Sequence, residues 1–417
     1  MQRSFTFALL LVVCLLCIGP LVAQDAPIPE PVGLRPDAPE YAQHGPYWVG
    51  VKDFQVDGDE QPMAASIWYP ALNPEGLPEQ ISYGDLVIKW DSGLTAGMVP
   101  TLEGRALRDA APDLSGGPYP LVVFSPGYGE FRPRYAYLAE HLASYGFAVI
   151  IPDHNEFWTP DVPNLWRDSI TRPQDMQFTI TSAEALSNAD GLLPGLIDTD
   201  VIGVLGHSYG GYTSLAMGGA RIRYEEFEAR CAALPADDTV GQAMCAPLLG
   251  HEADTAAFAG VADPTDLDAW PSWYDPRIKA VGSFAGDSYL FGESGMAEIT
   301  VPLLVMGGTV DTSTPLEWGI LPTYDHASST QKAEVILENS DHFIFSATCA
   351  ASPWVADLGW WFFCMEPVWD MDRGHDLVNH FTTAFLLSTL KGDAEATAAL
   401  SPDVVSFPGV EYQAEGF

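Results

Sequence analysis

Residues 206–211 read Gly-His-Ser-Tyr-Gly-Gly, and they follow the apolar run Val-Ile-Gly-Val-Leu of residues 201–205. Such a run is typical of a strand buried on both faces, and the residues from Tyr209 onward have the spacing of a helix. A G-x-S-x-G pattern between a strand and a helix predicts a sharp turn with Ser208 at its tip. The glycines on either side let the strand and the helix pass close together. The stretch therefore predicts a serine hydroxyl that stands clear of a buried sheet.

Apolar runs and helical segments alternate on both sides of this turn. The strand candidates are residues 121–124, 147–151, 200–205, 278–284, 302–306 and 334–337, and the helix candidates are residues 134–145, 174–193, 209–218 and 377–390. Strands that alternate with helices indicate a parallel sheet covered on both faces. Two earlier runs, residues 48–56 and 64–69, indicate an antiparallel hairpin at a sheet edge. We therefore expect an α/β fold with a mostly parallel central sheet flanked by helices.

Two stretches break this alternation and are predicted to be insertions in one large domain, residues 47–417. Residues 221–275 are acidic, contain Trp270 and Trp273, and are predicted to form an inserted cap. Residues 343–372 are dense in aromatic side chains. Either insertion could shape a pocket or pack onto the body of the domain, and the sequence leaves both interpretations open.

The amino-terminal residues 1–23 are predicted to be a signal peptide. Arg3 precedes a short apolar run at residues 5–18, and Ala23 supplies a small residue at a cleavage point. A retained membrane anchor is the alternative, but the run is short for a membrane span. Residues 24–46 are rich in Pro, Ala and Asp and are predicted to be an extended lead-in. We expect a secreted or periplasmic protein without stable membrane insertion.

Four cysteines follow the predicted signal peptide, and they fall into two local pairs. An exported protein meets an oxidising compartment, so we expect the disulfides Cys231–Cys245 and Cys349–Cys364. Each would close a loop of about 15 residues, which is worth on the order of 3 kcal/mol in the chain-entropy view. Buried free thiols are the alternative.

The formal net charge is −38, from 18 basic and 56 acidic residues. A surface this acidic repels phosphate backbones and anionic membranes, so we expect no nucleic-acid partner. The sequence does not indicate an oligomeric state.

A serine hydroxyl acts as a nucleophile only with a base in hydrogen-bond reach. The chain order for a turn of this kind is serine, then acid, then histidine. His342 lies in a polar loop directly after the strand candidate at residues 334–337, where the base belongs. Of the other histidines after the turn, His251 lies in the insertion and His326 lies before that strand. His375 and His380 lie in the last helix, where solvated or capping roles are expected. We therefore predict His342 as the base.

Two carboxylates compete for the acid that orients the imidazole. Asp311 follows the strand candidate at residues 302–306, and Asp287 follows the one at residues 278–284. Both lie at carboxyl ends of strands, where the active sites of open α/β sheets are found. Asp311 has the commoner placement and is the predicted acid, with Asp287 as the alternative.

Acyl transfer passes through an oxyanion, which backbone N–H groups can stabilise. One donor is expected from Tyr209, the residue after the serine, and the other from the loop Ser-Pro-Gly-Tyr-Gly at residues 125–129. Pro126 has no N–H group, so Tyr128 is the predicted second donor. These groups predict acyl transfer to water through an acyl-enzyme, without a metal or an organic cofactor, and they do not distinguish ester from amide substrates. A peptidase or amidase, and a non-catalytic binding protein on the same fold, are the alternatives.

Three segments resemble a known family: Pro-Leu-Val-Val-Phe-Ser-Pro-Gly-Tyr-Gly from residue 120, Leu-Ala-Ser-Tyr-Gly-Phe-Ala-Val from residue 142, and the motif around Ser208. Over roughly residues 45–345 the chain is similar to the platelet-activating-factor acetylhydrolase family. The resemblance implies an α/β-hydrolase fold for the catalytic domain and cleavage of ester-linked acyl groups, in the namesakes from phospholipids. It also implies the nucleophile, base and oxyanion roles assigned above.

The chain departs from that family at two places. The family has histidine where this chain has Pro126, and its acid would map onto Asp287. In contrast, Gly-Gly-Thr-Val-Asp-Thr-Ser-Thr-Pro at residues 307–315 resembles the acid loop of bacterial cutinases and polyester hydrolases, and so does the loop around Tyr128. Dienelactone-hydrolase-like proteins share the general pattern. We expect an acetylhydrolase-like enzyme with a small-molecule or lipid ester as substrate. A cutinase or polyester hydrolase and a lipase are the alternative enzyme classes.

Overall fold

The computed structural model describes residues 28–58, 61–84, 101–157, 164–266 and 268–417. The predicted signal peptide, residues 1–23, lies outside the described residues. The strands of the described ranges are, in chain order, β1 (Trp48–Val56), β2 (Met63–Ala71), β3 (Ile81–Tyr83), β4 (Leu102–Gly104), β5 (Leu107–Arg108), β6 (Tyr119–Ser125), β7 (Ala148–Pro152), β8 (Ile197–His207), β9 (Ile278–Phe284), β10 (Leu303–Gly308), β11 (Lys332–Leu337) and β12 (Val410–Glu415).

Within the described part of the chain, ten strands form one sheet in the order β12-β11-β10-β9-β8-β6-β7-β2-β1-β5. Each neighbouring pair from β11 to β7 is parallel. β2 pairs antiparallel with β7 and with β1, and β12 pairs antiparallel with β11. The predicted mostly parallel sheet and the antiparallel hairpin are therefore confirmed, with the two-residue strand β5 paired parallel to β1 outside the hairpin. The short strands β3 to β5 and the edge strand β12 were not predicted.

Helices cover both faces of this sheet. They are α1 (Ala136–Ser144), α2 (Leu165–Ser187), α3 (Tyr209–Met217), α4 (Tyr224–Ala232), α5 (Thr239–Cys245), α6 (Glu252–Phe258), α7 (Gly292–Met296), α8 (Ile320–His326), α9 (Pro353–Asp357), α10 (Met371–Lys391) and α11 (Ala394–Ala399). The core under α2, α3 and α8 contains Val123, and the core under α1 and α10 contains Val122. Successive strand residues enter opposite cores because their side chains alternate between the two faces.

The second helix differs from its prediction, residues 174–193, at both ends. It begins before Pro173, which lies inside it. A proline has no N–H group for the carbonyl four residues earlier, here that of Ser169. The Tyr212 hydroxyl donates to that carbonyl at 2.9 Å, so a tertiary hydrogen bond replaces the missing helical one. Leu193, although buried, lies in the turn beyond the helix.

The two predicted insertions both contain short helices and a disulfide. Residues 221–275 form α4 to α6, and residues 343–372 include α9. The pairs Cys231–Cys245 and Cys349–Cys364 are bonded as expected. Trp270 and Trp273 belong to the core under α2 and α3, so this part of the first insertion packs onto the body of the domain. Across the described ranges, no helix combines the length and the apolar character needed to cross a membrane.

Helix α10 is buried between the sheet and the amino-terminal residues. His375 and His380 are only 2% and 5% exposed, so the expectation of solvated or capping histidines was wrong. The Tyr41 N–H group donates to His380 Nδ1 at 3.3 Å, and the His375 ring stacks on Tyr137 at 3.7 Å. Burial lowers the pKa of both histidines to about 4. The helix pattern alone could not reveal this, because the covering residues come from distant parts of the chain.

Candidate active site

Ser208 lies between β8 and α3 in a backbone conformation that few non-glycine residues adopt, with φ 57° and ψ −126°. Its N–H group donates to the Phe284 carbonyl at 2.8 Å, which ties the turn to β9. A Cβ atom on Gly206 would lie 1.9 Å from the Gly210 oxygen, and one on Gly210 would lie 1.9 Å from the Ser125 oxygen. Both positions therefore require glycine. The close approach of strand and helix has the cause that the motif predicted.

The predicted base and the predicted acid meet in a hydrogen bond. His342 follows β11, Asp311 follows β10, and His342 Nδ1 lies 2.7 Å from Asp311 Oδ2. The other oxygen of Asp311 accepts the N–H groups of Ser313 and Thr314, both at 2.8 Å. Burial alone would lower the pKa of His342, but the charge and hydrogen bond of Asp311 raise it above its usual value. The arrangement holds the imidazole in one orientation and favours its protonated form.

The alternative acid, Asp287, lies in the neighbouring loop after β9. Its side chain is buried, and its Oδ1 atom has no hydrogen-bond partner among the described residues. Burial raises its pKa to about 7, against the opposing charge of His342. Thr314 Oγ1 lies 2.7 Å from the Ala285 oxygen, 2.9 Å from Asp311 Oδ2 and 3.1 Å from His342 Nδ1, and so links the two acid loops. The structure thus brings Asp311, and not Asp287, into hydrogen-bond contact with the histidine.

The loop after β6 lies beside the serine. A Cβ atom on Gly127 would be 3.3 Å from Ser208 Cβ, and the rings of Tyr128 and Tyr209 are 6.0 Å apart. The Tyr209 N–H group is the first of α3 and therefore has no acceptor within the helix. Gly127 donates its N–H group to the Tyr135 hydroxyl at 3.0 Å. The two residues predicted as oxyanion donors, Tyr128 and Tyr209, are thus neighbours.

His207, in the serine turn, connects this turn to the loop after β6 and to the loop after β11. The sequence analysis missed this role. The Tyr135 hydroxyl, which accepts from Gly127, donates to His207 Nδ1 at 2.9 Å, and His207 Nε2 donates to the His342 oxygen at 3.0 Å. Burial, with a smaller effect from the charge of His342, lowers the pKa of His207 well below its usual value. His207 is therefore neutral, with its proton on Nε2. Its position beside the serine within the motif was the available signal for this contact.

Glu366, from the second insertion, supports the loop that carries His342, and the sequence analysis also missed this contact. Its two carboxylate oxygens lie 3.2 and 3.1 Å from the nitrogen of Asp341, the residue before His342. Burial raises the pKa of Glu366 to about 7, although the N–H group of Asp341 opposes this. The disulfide at Cys364 lies two residues away. The insertion therefore contacts the histidine loop directly.

Aromatic side chains from the same insertion continue outward from the histidine. The Phe343 ring, next to His342, lies 4.8 Å from Phe363 and 6.3 Å from Phe362. Trp361 and Phe362 are 50% and 61% exposed. The site thus has an apolar surface on its histidine side.

Comparisons with known proteins agree with this geometry. Residues 122–357, more than half of the chain, match the sequence profile of the Alpha/beta hydrolase family. Residues 41–158 match the profile of Platelet-activating factor acetylhydrolase, isoform II.

Individual relatives have low identity to the chain. Cutinase est1 from Thermobifida alba is 28% identical, over 60% of this chain and 64% of its own length. The platelet-activating factor acetylhydrolase of Cavia porcellus is 25% identical, over 41% and 50%. A bis(hydroxyethyl) terephthalate hydrolase of Streptomyces coelicolor is 24% identical, over 55% and 52%. The chain therefore spans less than two thirds of the length of these relatives.

The resemblance to acetylhydrolases and cutinases expected from the motifs is confirmed by these matches. The matched profile includes the second half of β6, the serine turn, the loops that carry Asp287 and Asp311, and His342. Together with the mostly parallel sheet and its flanking helices, the match shows that the chain belongs to the α/β hydrolase family.

Proposed function

We propose that the protein hydrolyses carboxylic esters, with Ser208 as nucleophile, His342 as base and Asp311 as the acid that orients the base. The observation that carries the proposal is the hydrogen bond between His342 and Asp311, together with the strained turn at Ser208. The ring of His207, the residue before Ser208, lies 4.7 Å from the ring of His342. The names of the relatives, a cutinase, an acetylhydrolase and a terephthalate hydrolase, support an ester substrate.

In the first half-reaction Ser208 Oγ attacks the ester carbonyl carbon while its proton passes to His342 Nε2. The C=O π electrons move to oxygen, and the N–H groups of Tyr209 and Tyr128 stabilise the resulting oxyanion. The intermediate then collapses, the bond to the alkoxy group breaks, and His342 returns the proton to the leaving alcohol. An acyl-serine remains.

In the second half-reaction water replaces the alcohol. His342 takes a proton from the water while the water oxygen attacks the acyl carbon, and the same N–H groups stabilise the second oxyanion. Collapse breaks the bond to Ser208 Oγ, which recovers its proton from His342. The carboxylic acid leaves, and the enzyme is restored without a metal or organic cofactor.

The substrate in this proposal is a small-molecule or lipid ester with an apolar acyl group. The exposed aromatic rings of Trp361 and Phe362 beside the histidine loop support an apolar partner. The net charge of −38 disfavours anionic surfaces and polymers. We also propose that the protein is exported, because disulfides are stable in an oxidising compartment and the structure contains two.

A series of p-nitrophenyl esters from acetyl to long acyl chains tests the proposal, on wild type and on Ser208→Ala. Wild type should turn over at least one ester, and the variant should lose about 10⁴-fold or more in kcat, because no nucleophile remains. Ser401→Ala, in the loop before β12, is the matched control and should keep full activity. The chain length with the highest kcat/KM separates an acetylhydrolase-like pocket from a lipase- or cutinase-like one.

Two results would contradict the proposal. One is ester hydrolysis by Ser208→Ala at the wild-type rate. The other is a folded wild-type protein that hydrolyses none of the esters. The second result would move the weight to amide substrates or to a binding role.

A further inference from the structure

A buried arginine lies against the loop that carries one of the two predicted oxyanion donors. Arg172, on α2, is 0% exposed. Its Nη1 donates to the Pro126 oxygen at 2.7 Å, and its Nη2 donates to the Gly127 oxygen at 3.0 Å. Fully buried arginines are rare and almost always paired. One guanidinium thus binds the carbonyl groups of two successive peptide units in this loop.

The charge of this guanidinium is compensated locally. Arg172 Nε donates to Glu156 Oε1 at 2.8 Å, and Nη2 contacts the same oxygen. The guanidinium carbon also lies 5.3 Å from the centre of the Tyr209 ring. Arg172 therefore contacts the loop of one predicted donor and the side chain of the other. Its ion partner, Glu156, is itself buried.

Below the loop, Ser125 Oγ lies 2.9 Å from His154 Nε2, and His154 Nδ1 lies 2.8 Å from Asp175 Oδ2. These are the residue types of a catalytic triad, but Ser125 and His154 are 0% exposed, which denies a substrate access to them. Burial, together with the charge of Arg172, lowers the pKa of His154 to about 3, so the ring is neutral. This hydrogen-bond chain holds the loop at its start, and Arg172 holds the next two residues.

The peptide geometry gives the arginine a consequence for catalysis. In a planar trans peptide the carbonyl oxygen and the following N–H group point in opposite directions. When Arg172 binds the Gly127 oxygen, the N–H group of Tyr128 must therefore point away from the guanidinium. The N–H group of Gly127 points away from it in the same manner, and it is bound by Tyr135. Two successive peptide planes of the loop are thus held in place.

We propose that Arg172 is a positioning residue for the oxyanion hole, which orients the Tyr128 N–H group toward the developing oxyanion before the ester binds. The inference rests on the proposed function, since the oxyanion exists only if Ser208 attacks a carbonyl. A donor held in place before reaction stabilises the transition state more than the ground state. Loss of Arg172 should therefore lower kcat and leave KM almost unchanged.

The experiment compares Arg172→Lys with wild type. Lysine keeps the charge but has no planar fork to bind two carbonyl groups and Glu156 at once. We expect kcat for a p-nitrophenyl ester to fall about 10- to 100-fold, part of the effect of removing one oxyanion donor, with KM within about twofold. The double variant Arg172→Met/Glu156→Gln avoids an unpaired buried charge and should lose kcat similarly. Arg167→Lys, on the exposed side of α2, is the matched control.

A boronic acid inhibitor separates positioning from general damage. The serine oxygen adds to boron to form a tetrahedral anion that resembles the reaction intermediate, and the serine proton passes to the histidine. Its inhibition constant should rise by the same factor as kcat falls, in protein shown to be folded by near-ultraviolet circular dichroism and a cooperative thermal transition.

The inference is overturned if either folded variant keeps kcat and boronate affinity within about twofold of wild type. It is also overturned if activity falls only in proportion to the unfolded fraction, since Arg172 would then be purely structural. A folded wild-type protein that hydrolyses no ester and binds no boronate overturns the proposed function and this inference with it.

Discussion

The loops after β9 and β10 each place a buried carboxyl group near His342, but the two carboxyl groups have different hydrogen-bond partners. Asp311 accepts two backbone N–H groups and contacts the imidazole. Asp287 has an oxygen without a partner among the described residues, and burial raises its pKa to about 7. Hydrogen-bond donors stabilise a carboxyl group as an anion, whereas burial without them favours the neutral acid. Nearness to the histidine is therefore not sufficient, and the donors around each carboxyl group distinguish the two loops.

The largest effect is expected from Asp311→Asn. The amide cannot supply the negative charge that stabilises the imidazolium, so kcat should fall on the order of 10²- to 10⁴-fold. Asp287→Asn is the matched control, and its kcat should stay within about threefold of wild type. The measurement is kcat for a p-nitrophenyl ester, with folding checked by circular dichroism. The reverse order of effects would assign the acid to the loop after β9.

A smaller effect is expected from Thr314→Val. Its hydroxyl lies within hydrogen-bond distance of Asp311, His342 and the Ala285 oxygen, and valine keeps the shape without it. A hydrogen bond to a charged group is worth about 1.5 kcal/mol, so we expect roughly a tenfold loss of kcat. The neighbouring exposed Thr312→Val should show no change. Equal kcat values for both threonine variants would show that the link between the two acid loops has no catalytic consequence.

The smallest effect on activity but a distinct effect on stability is expected from Asp287→Asn. Because burial raises the pKa of Asp287 from 3.8 to about 7, the unfolded chain releases this proton at lower pH than the folded protein does. The contribution of Asp287 to the free energy of unfolding is therefore full below about pH 4, and it is lost as the pH rises to about 7. The asparagine variant should lack this loss.

Urea unfolding of wild type and Asp287→Asn at pH 4.5 and pH 8 measures the difference. The urea midpoint at pH 4.5 minus the midpoint at pH 8 should be larger for wild type than for the variant. Asp266→Asn, at an exposed position, should follow wild type and serves as the control. Identical pH dependence of wild type and Asp287→Asn would show that this carboxyl group is not buried as an acid in the folded protein.

Much of the fold followed from local patterns. The strands β1 and β9 have the predicted bounds, and the remaining predicted strands differ from the structure by a few residues at their ends. The edge strand β12 was missed, although its alternation of Val410, Tyr412 and Ala414 with polar residues is the pattern of a half-buried strand. The start of α2 could not be found in this way, because Pro173 is tolerated through a hydrogen bond from Tyr212.

The candidate site likewise contains features that the local sequence predicted and features that it did not. The motif around Ser208, the place of His342 after a strand and the loop of the predicted donor Tyr128 could be found from the sequence, because each depends on a few neighbouring residues. The supporting groups were not readable, since Arg172, Glu366 and His207 are defined by the distant groups that they contact.

The order of residues along the chain was enough to place a serine turn, a histidine and two carboxyl groups at one edge of a parallel sheet, because strand periodicity and glycine sterics are local. The sequence favoured Asp311 over Asp287, but only the folded chain shows which of the two carboxyl groups contacts the histidine. A hydrogen bond forms only when both partners lie within about 3 Å with the right direction. Asp311 and His342 are 31 positions apart in the sequence, and the packing of β10 against β11 brings them to 2.7 Å.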